Sequence, residues 1–402
     1  MRIGYAITQY WPALSGAAIH TRHLARLMAN HHDVTVVAQL NSNTENPYSA
    51  SMKPTQYSHS YTDGPVSVNI AAPQPLEAPL LKACAIMTGS RRTREFGLQL
   101  YTRLLERRLT TSLANRDVIH CVNATMEHLA VSAARCAIHL KRPFVLTPLF
   151  RPEDSGSAEA LRGPLEVADA VIAQTNVESE LLKRSGVPAD KIHVVSVGPI
   201  VTRDADAHGF RRRHGIKGNL VLFMARKERS KGYEHILHAA GHVWNELPDT
   251  YFVFAGPRTE ESSRIFSRWQ DQRVVELGEL EPWSNEKSSA LAACDVFCMP
   301  SAPECSGIVF LEAWSFGKPV IAADIPTERE FVNHGVDGLL VERDSQEIAR
   351  ALLALLRNAQ LRRKMGEAGR IKVKEHYSWE RVVESMNRIY EDVGNRRSRE
   401  TA

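Results

Sequence analysis

Two glutamates, Glu304 and Glu312, bracket seven residues that include Cys305, Ser306, Gly307, Ile308 and Val309. An apolar run ends just before them at Met299, and a helical pattern begins near Ile308 and stops at Gly317. A strand, a turn and a helix start at the carboxyl end of a parallel sheet expose free amides and the positive end of a helix dipole, which is where phosphate is held. Carboxylates beside a phosphate site make sense if the ligand also carries hydroxyls. Carboxylates accept hydrogen bonds from vicinal hydroxyls, and phosphates offer none. A diphosphate on the helix start, with a ribose on one glutamate and a hexose on the other, uses all three features. Taken singly, Glu312 also fits a solvated helix face and Glu304 a surface turn.

A second group of residues follows the apolar run Leu220–Met224: Arg226, Lys227, Arg229 and Lys231. Two cations at a strand end, here Arg226 and Lys231, neutralise a departing diphosphate without a metal. The bland reading of such a run is a solvated basic loop. A third feature is Ser15-Gly16, just before a helical pattern over Ala17–Ala29. Gly16 lets a backbone approach a phosphate closely. His20 and His23 on the same helix read as surface or packing residues. Asp204-Ala205-Asp206 has the form of a metal-binding D-x-D, but it sits in a charged junction rather than at a strand end, and no metal site is expected.

The elements that position these residues alternate between strand and helix, twice over. Short apolar runs at Arg2–Ile7, Val34–Ala38, Val118–His120, Phe144–Thr147, Ala170–Ala173 and His193–Val197 suit a parallel sheet covered on both faces. Gly198-Pro199 and the charged stretch to Gly218 break the pattern and mark a domain junction. The alternation restarts at Leu220–Met224 and continues through Tyr251–Ala255, Arg273–Leu277, Val296–Met299, Pro319–Ala323 and Leu339–Val341. Asn41–Pro79 is rich in Pro, Ser and Asn and reads as a long loop with one strand, Val66–Ile70. Trp379–Tyr390 is an amphipathic helix. The fold class is therefore α/β, with two βαβ domains in sequence.

Composition sets outer bounds. The 402 residues suffice for two cores. A balance of 50 basic against 46 acidic residues is too mild to argue for nucleic acid. No stretch approaches the roughly 20 apolar residues that span a bilayer. Six scattered cysteines, among them Cys294 and Cys298 with no further ligand nearby, read as reduced, buried thiols and place the chain in a cytoplasm. The sequon Asn123-Ala124-Thr125 is idle there. Arg91–Leu113 is helical and basic. It reads either as a covering helix or as a contact with an anionic membrane at the inner face.

The residues around the glutamates resemble the E-x7-E motif of retaining GT-B glycosyltransferases, specifically the large family 4. Ala225-Arg226 with Lys231-Gly232 resembles that family's Gly-Arg and Lys-Gly pair. Asp295-Val296-Phe297 before Pro300-Ser301, the run Gly317-Lys318-Pro319-Val320-Ile321, Glu330, and Asp337-Gly338-Leu339-Leu340-Val341 are similar as well. The resemblance implies a GT-B fold of two facing Rossmann-like domains. Residues 1–198 would bind the acceptor and residues 199–377 the nucleotide sugar, with 378–402 a crossover helix packing back on the first domain. It implies transfer of a hexose, with retention, from a UDP-, GDP- or ADP-sugar to a hydroxyl of a glycan, glycolipid or small molecule. No metal or further cofactor is implied. Glu304 would contact the donor sugar, Glu312 the ribose, and the amides from Ser306 through Gly307, Ile308 and Val309 the phosphate; Gly16 would add a donor contact.

The chain departs from the family at Asp117-Val118-Ile119-His120-Cys121-Val122, where many members carry two histidines. His120 matches the first, and Val122 replaces the second. His120 is thus open to two readings, a catalytic group or a buried hydrogen-bonded strand residue, with Arg151 and Glu153 as alternative acceptor contacts. Cys305-Ser306 replaces a pair that usually contains Phe, which would reshape the sugar pocket. A catalytically silent nucleotide-sugar binder and a sugar-nucleotide epimerase of the same fold remain alternatives. A nucleotide-cofactor oxidoreductase ranks low, because no G-x-G-x-x-G follows the first strand.

Overall fold

Apolar runs such as Leu220-Val221-Leu222-Phe223 have no polar face to turn to water, so they are stable only as strands covered on both sides. The computed structural model describes residues 1–42, 50–51, 59–73, 75–90, 92–122, 127–150, 159–302 and 307–401. It divides into two units, Met1–Ser196 with Val382–Ala402, and Val197–Arg381. Each is an α/β fold of the Rossmann type with its own buried cluster of side chains.

The first unit holds β1 (Arg2–Gln9), β2 (Asp33–Leu40), β3 (Ser60–Asp63), β4 (Val66–Ile70), β5 (Val118–Val122), β6 (Phe144–Thr147), β7 (Ala170–Ala173) and β8 (Ile192–Val194). Their order is β3-β4-β2-β1-β5-β6-β7-β8, parallel except for the β3–β4 hairpin. Among the helices are α1 (Gly16–Met28), α2 (Ala78–Thr88), α3 (Arg94–Leu113), α4 (Glu127–Leu140), α5 (Arg162–Val167) and α6 (Asn176–Arg184). The stretch Asn41–Pro79, expected to hold one strand, holds two among its described residues. The extra strand β3 is short and polar, turns at Gly64, and is fastened by Asp63, which accepts from Arg22 Nε at 2.7 Å and Tyr10 Oη at 3.2 Å. The helix expected over Arg91–Leu113 begins at Arg94 and is preceded by the separate helix α2.

The second unit holds α7 (Ala207–Arg213), β9 (Asn219–Met224), α8 (Tyr233–Trp244), β10 (Thr250–Ala255), α9 (Glu260–Phe266), β11 (Val274–Leu277), α10 (Asn285–Ala293), β12 (Val296–Met299), α11 (Ile308–Ser315), β13 (Val320–Ala323), α12 (Pro326–Phe331), β14 (Gly338–Val341), α13 (Ser345–Leu356) and α14 (Ala359–His376). The all-parallel order is β11-β10-β9-β12-β13-β14. The last helix, α15 (Trp379–Thr401), starts in the second unit, where Trp379 Nε1 donates to Pro199 O at 2.8 Å, and belongs to the first unit from Val382 on. There the Tyr390 hydroxyl lies 2.9 Å from that of Tyr5 on β1.

Each sheet has one place where the strand order reverses, between β1 and β5 in the first and between β9 and β12 in the second. At such a switch point the two flanking loops leave in opposite directions and open a crevice at the carboxyl ends of the strands, where ligands of this fold bind. Gly16, Arg226, Lys231, Gly307 and Glu312 follow these strands, and His120 lies on β5.

Candidate active site

In the second unit the loop after β9 carries Arg226 and closes in a tight turn over Arg229–Lys231. Gly232 ends that turn at φ +79, and a Cβ there would lie 2.5 Å from Pro300 O. Both the left-handed backbone and the contact require glycine. The same turn is stitched to the loop after β12: Ala302 N donates to Ser230 O at 2.8 Å. Arg343, just beyond β14, completes the seam. Its guanidinium donates to Arg229 O at 2.7 Å and to Pro300 O at 3.0 Å, with longer contacts to Ser230 O at 3.3 Å and Ala302 O at 3.4 Å. The turn carrying Lys231 and the residues Pro300–Ala302 after β12 therefore form one layer at the switch point.

Gly307 is the N-cap of α11, and among the described residues no side chain caps this helix. Phe310 N and Leu311 N return to Gly307 O at 2.9 and 3.2 Å, so Ile308 and Val309 lie in the first turn, where amides have no intrahelical acceptor. Glu304 and Ser306 lie outside the described residues, as do Arg151 and Glu153. Glu312 sits one turn into α11 and is not on a solvated face: it is 2% exposed. Its Oε1 accepts from Lys287 Nζ at 2.5 Å and from Ile200 N at 3.3 Å. Its Oε2 is shielded from solvent and has no hydrogen-bond partner among the described residues. Burial raises the Glu312 pKa, and Lys287 pulls it back.

The four cations after β9 do not act alike. Arg226 is 47% exposed and pairs loosely with Glu228 at 3.3 Å. Lys231 is half-buried on the turn. Arg229 is spent on Glu261 at 2.6 Å and Glu234 at 3.3 Å. Lys227, grouped above with the solvated loop, is completely buried. Its ammonium donates to Gly256 O at 2.6 Å and Leu277 O at 2.7 Å and pairs with Glu276 at 3.1 Å, fastening the carboxyl ends of β10 and β11. Desolvation lowers its pKa and Glu276 works against that. Asp206 of the D-x-D sequence caps α7, accepting from Gly209 N at 2.7 Å. Among the described residues no three His, Cys, Asp or Glu side chains gather as a metal-ligand set.

In the first unit, Ser15 caps α1 through Ala18 N at 3.3 Å, and Gly16 opens the helix. A Cβ at Gly16 would meet nothing within 4 Å among the described residues, so no contact with them demands glycine there. His120 on β5 is the buried, hydrogen-bonded strand residue of its two readings. Its Nδ1 lies 2.7 Å from Tyr390 Oη and its Nε2 2.7 Å from Thr147 Oγ1. Desolvation pushes its pKa down to about 3, so the ring is neutral at ordinary pH. Both ring nitrogens are thus engaged by hydroxyls. His120, Val122, Gln174 and His20 line a cavity of about 30 Å³.

Arg343, Lys287, Tyr390 and Thr147 hold places in these arrangements that their sequence context does not assign. Lys287 leaves a signal: it stands on the same helical face as the buried Ala290 and Leu291, and a lysine facing a core needs a carboxylate there.

Residues 15–198 match the family model described as glycosyl transferase 4-like domain, and residues 206–372 match glycosyl transferases group 1. Over 179 residues the chain is 35% identical to a phosphatidyl-myo-inositol mannosyltransferase of Mycobacterium leprae, covering 44% of this chain and 47% of that protein, about half its length. A protein of the same description from Mycobacterium tuberculosis is 28% identical over 285 residues, 69% of this chain and 74% of its own. The solved structure of Anabaena HepE in complex with UDP superposes with a TM-score of 0.74 at 18% identity, covering 98% of this chain and 100% of that one; it shares the GT-B fold.

Proposed function

The chain belongs to the glycosyl transferases group 1 family of GT-B glycosyltransferases, and from that premise we propose that it moves a hexose from a nucleoside diphosphate sugar to an acceptor hydroxyl, with retention and without a metal. The donor nucleotide binds at the switch point of the second sheet. Glu312 takes the ribose, the first-turn amides of Ile308 and Val309 take phosphate oxygens, and Arg226 and Lys231 face the diphosphate. The observation that carries this reading is the seam through Ser230, Ala302 and Arg343, which brings the Lys231 turn against Pro300–Ala302 just after β12.

In the reaction, the bond from the anomeric carbon to the diphosphate oxygen breaks as the acceptor oxygen bonds to the same carbon. Negative charge on the leaving diphosphate meets the two cations and the helix start, which are fixed before the reaction begins. The departing phosphate oxygen takes the acceptor's proton, so the sequence needs no free imidazole at His120. Glu304, by resemblance, holds the donor sugar.

The acceptor contacts lie on the first unit, and the acceptor class is a glycan or glycolipid. Leu76, Ile86 and Phe96 are 90%, 76% and 64% exposed along one stretch of chain that also carries Lys82, Arg92 and Arg94. This pattern supports peripheral contact with an anionic membrane on the cytoplasmic side. No helix among the described residues is long and apolar enough to cross a membrane. Sedimentation with phosphatidylglycerol vesicles, and not with phosphatidylcholine vesicles, is the expected result; equal sedimentation with both removes this part of the reading.

The nucleotide site is tested by thermal unfolding with UDP, GDP and ADP. At least one stabilises the wild type, and Glu312→Ala and Arg226→Ala abolish the shift. If none stabilises it, the site is misassigned. Release of free nucleotide only when donor and acceptor are both present separates a transferase from a silent binder.

A further inference from the structure

The lysine–glutamate pair inside the second unit has a feature that a structural ion pair does not need. Lys287 Nζ reaches Glu312 Oε1 at 2.5 Å and two main-chain oxygens, Ile200 O at 3.1 Å and Pro282 O at 3.4 Å. Both side chains are buried, at 8% and 2% exposure. A buried pair is usually tolerated only when the remaining lone pairs are also satisfied. Here Glu312 Oε2 is enclosed and without a partner among the described residues. An unfilled acceptor on a buried carboxylate costs stability, and it is held in this state by a cation attached to its other oxygen.

We propose that Lys287 is a positioning residue: by fixing Oε1 and keeping the carboxylate charged, it leaves Oε2 as the acceptor for the ribose hydroxyls of the nucleotide. The inference rests on the proposed nucleotide site and deepens it. Without the ammonium, burial would favour the neutral acid, which is a weaker acceptor than a carboxylate. The charged groups on the surrounding elements cannot replace Lys287. On α14, Lys372 is bound to Asp337 and Arg370 to Glu367. On α7, Arg211 is bound to Asp295 and Arg213 to Glu286. β13 carries no charge.

The test is the preference for a ribonucleotide over its 2′,3′-dideoxy analogue, measured by calorimetry from pH 6 to pH 9. UDP and 2′,3′-dideoxyuridine diphosphate serve as the pair, or the corresponding GDP or ADP pair if only that base binds. The wild type should show a preference that is flat across the range. Lys287→Met should lose that preference at least tenfold at pH 6 and recover most of it by pH 9, because a raised pKa leaves the acid neutral at low pH and charged at high pH. A folded Lys287→Met with the wild-type preference at every pH overturns the inference and leaves the nucleotide site standing. A wild type that binds neither compound, or both equally, overturns the ribose role of Glu312 and the inference with it. If Lys287→Met does not fold, the neutral double variant Lys287→Met/Glu312→Gln decides. It should bind the nucleotide within threefold of Glu312→Gln alone, since Lys287 acts only through Glu312. A further tenfold loss in the double variant would mean that Lys287 acts on the ligand directly, and the inference fails.

Discussion

Arg343→Ala separates pre-arrangement of the site from stability of the fold. The guanidinium makes two short bonds, to Arg229 O at 2.7 Å and Pro300 O at 3.0 Å, and two longer ones. A hydrogen bond from a charged donor nets about 1.5–3 kcal/mol in shielded surroundings. Arg343 is only half-buried, so the short bonds count at or below the lower end and the long ones not at all. That gives about 2–3 kcal/mol for holding the Lys231 turn against the loop after β12. The bond from Ala302 N to Ser230 O survives in the variant, which keeps the loss from being larger. If this energy arranges the loops before the ligand arrives, the variant must supply it on binding. At 1.4 kcal/mol per tenfold, its Kd for the nucleoside diphosphate rises roughly 30- to 140-fold. Calorimetric titration of both proteins gives the Kd, and urea unfolding gives the stability change. Arg343→Lys, which keeps the charge but cannot reach both loops, should fall between them. A Kd within threefold of wild type, alongside a lowered unfolding midpoint, would show that Arg343 supports only the fold, and the argument for a pre-arranged layer would fail.

Lys227→Met should destabilise the chain by about 3 kcal/mol, near the low end for breaking a buried pair, because Glu276 keeps Arg258 at 2.6 Å while the oxygens of Gly256 and Leu277 lose their donor. A urea titration showing a loss under about 1 kcal/mol counts against the structural role assigned to this lysine. Acid sensitivity should concentrate in the first unit, where desolvation depresses His20 to about 4 and His120 and His128 to about 3. Their contribution is complete above the unfolded value near 6.5. Below it the unfolded chain takes up protons that the folded chain refuses, so each histidine removes about 1.4 kcal/mol per pH unit until its folded pKa is reached. His120→Gln, which keeps partners for Tyr390 and Thr147, should remove one proton's worth of slope between pH 6 and 4.5; an unchanged slope in urea titrations contradicts the assigned neutrality.

What the sequence makes legible is set by whether the partner of an interaction is a side chain or the backbone. The strands at Leu220–Met224 and Val296–Met299 stand out because their apolar runs admit no solvated face, and the loops beyond them inherit a place at the sheet's carboxyl edge. β3 is invisible by the same criterion: Ser60-Tyr61-Thr62-Asp63 is a polar edge strand held by the pair of Arg22 and Asp63, 41 residues apart. Arg343 could not be foreseen, because it recognises four main-chain oxygens, and carbonyls leave no signature in residue identity. Nor does the basic run 226–231 announce that Lys227 is the buried member, since that depends on where β10 and β11 end, not on any neighbour in the chain. The pair of Lys287 and Glu312 is different in kind. Each is a solitary charge on the apolar face of a short helix: Lys287 beside Ala290 and Leu291, and Glu312 within Ile308-Val309-Phe310-Leu311-Glu312-Ala313-Trp314. A charge cannot enter a core alone, so two helices of one domain that each bury a single charge of opposite sign predict one another. The glutamate spacing is readable as a site, and the counter-charge that keeps one of those glutamates ionised is written into the sequence as well, in the helix before it.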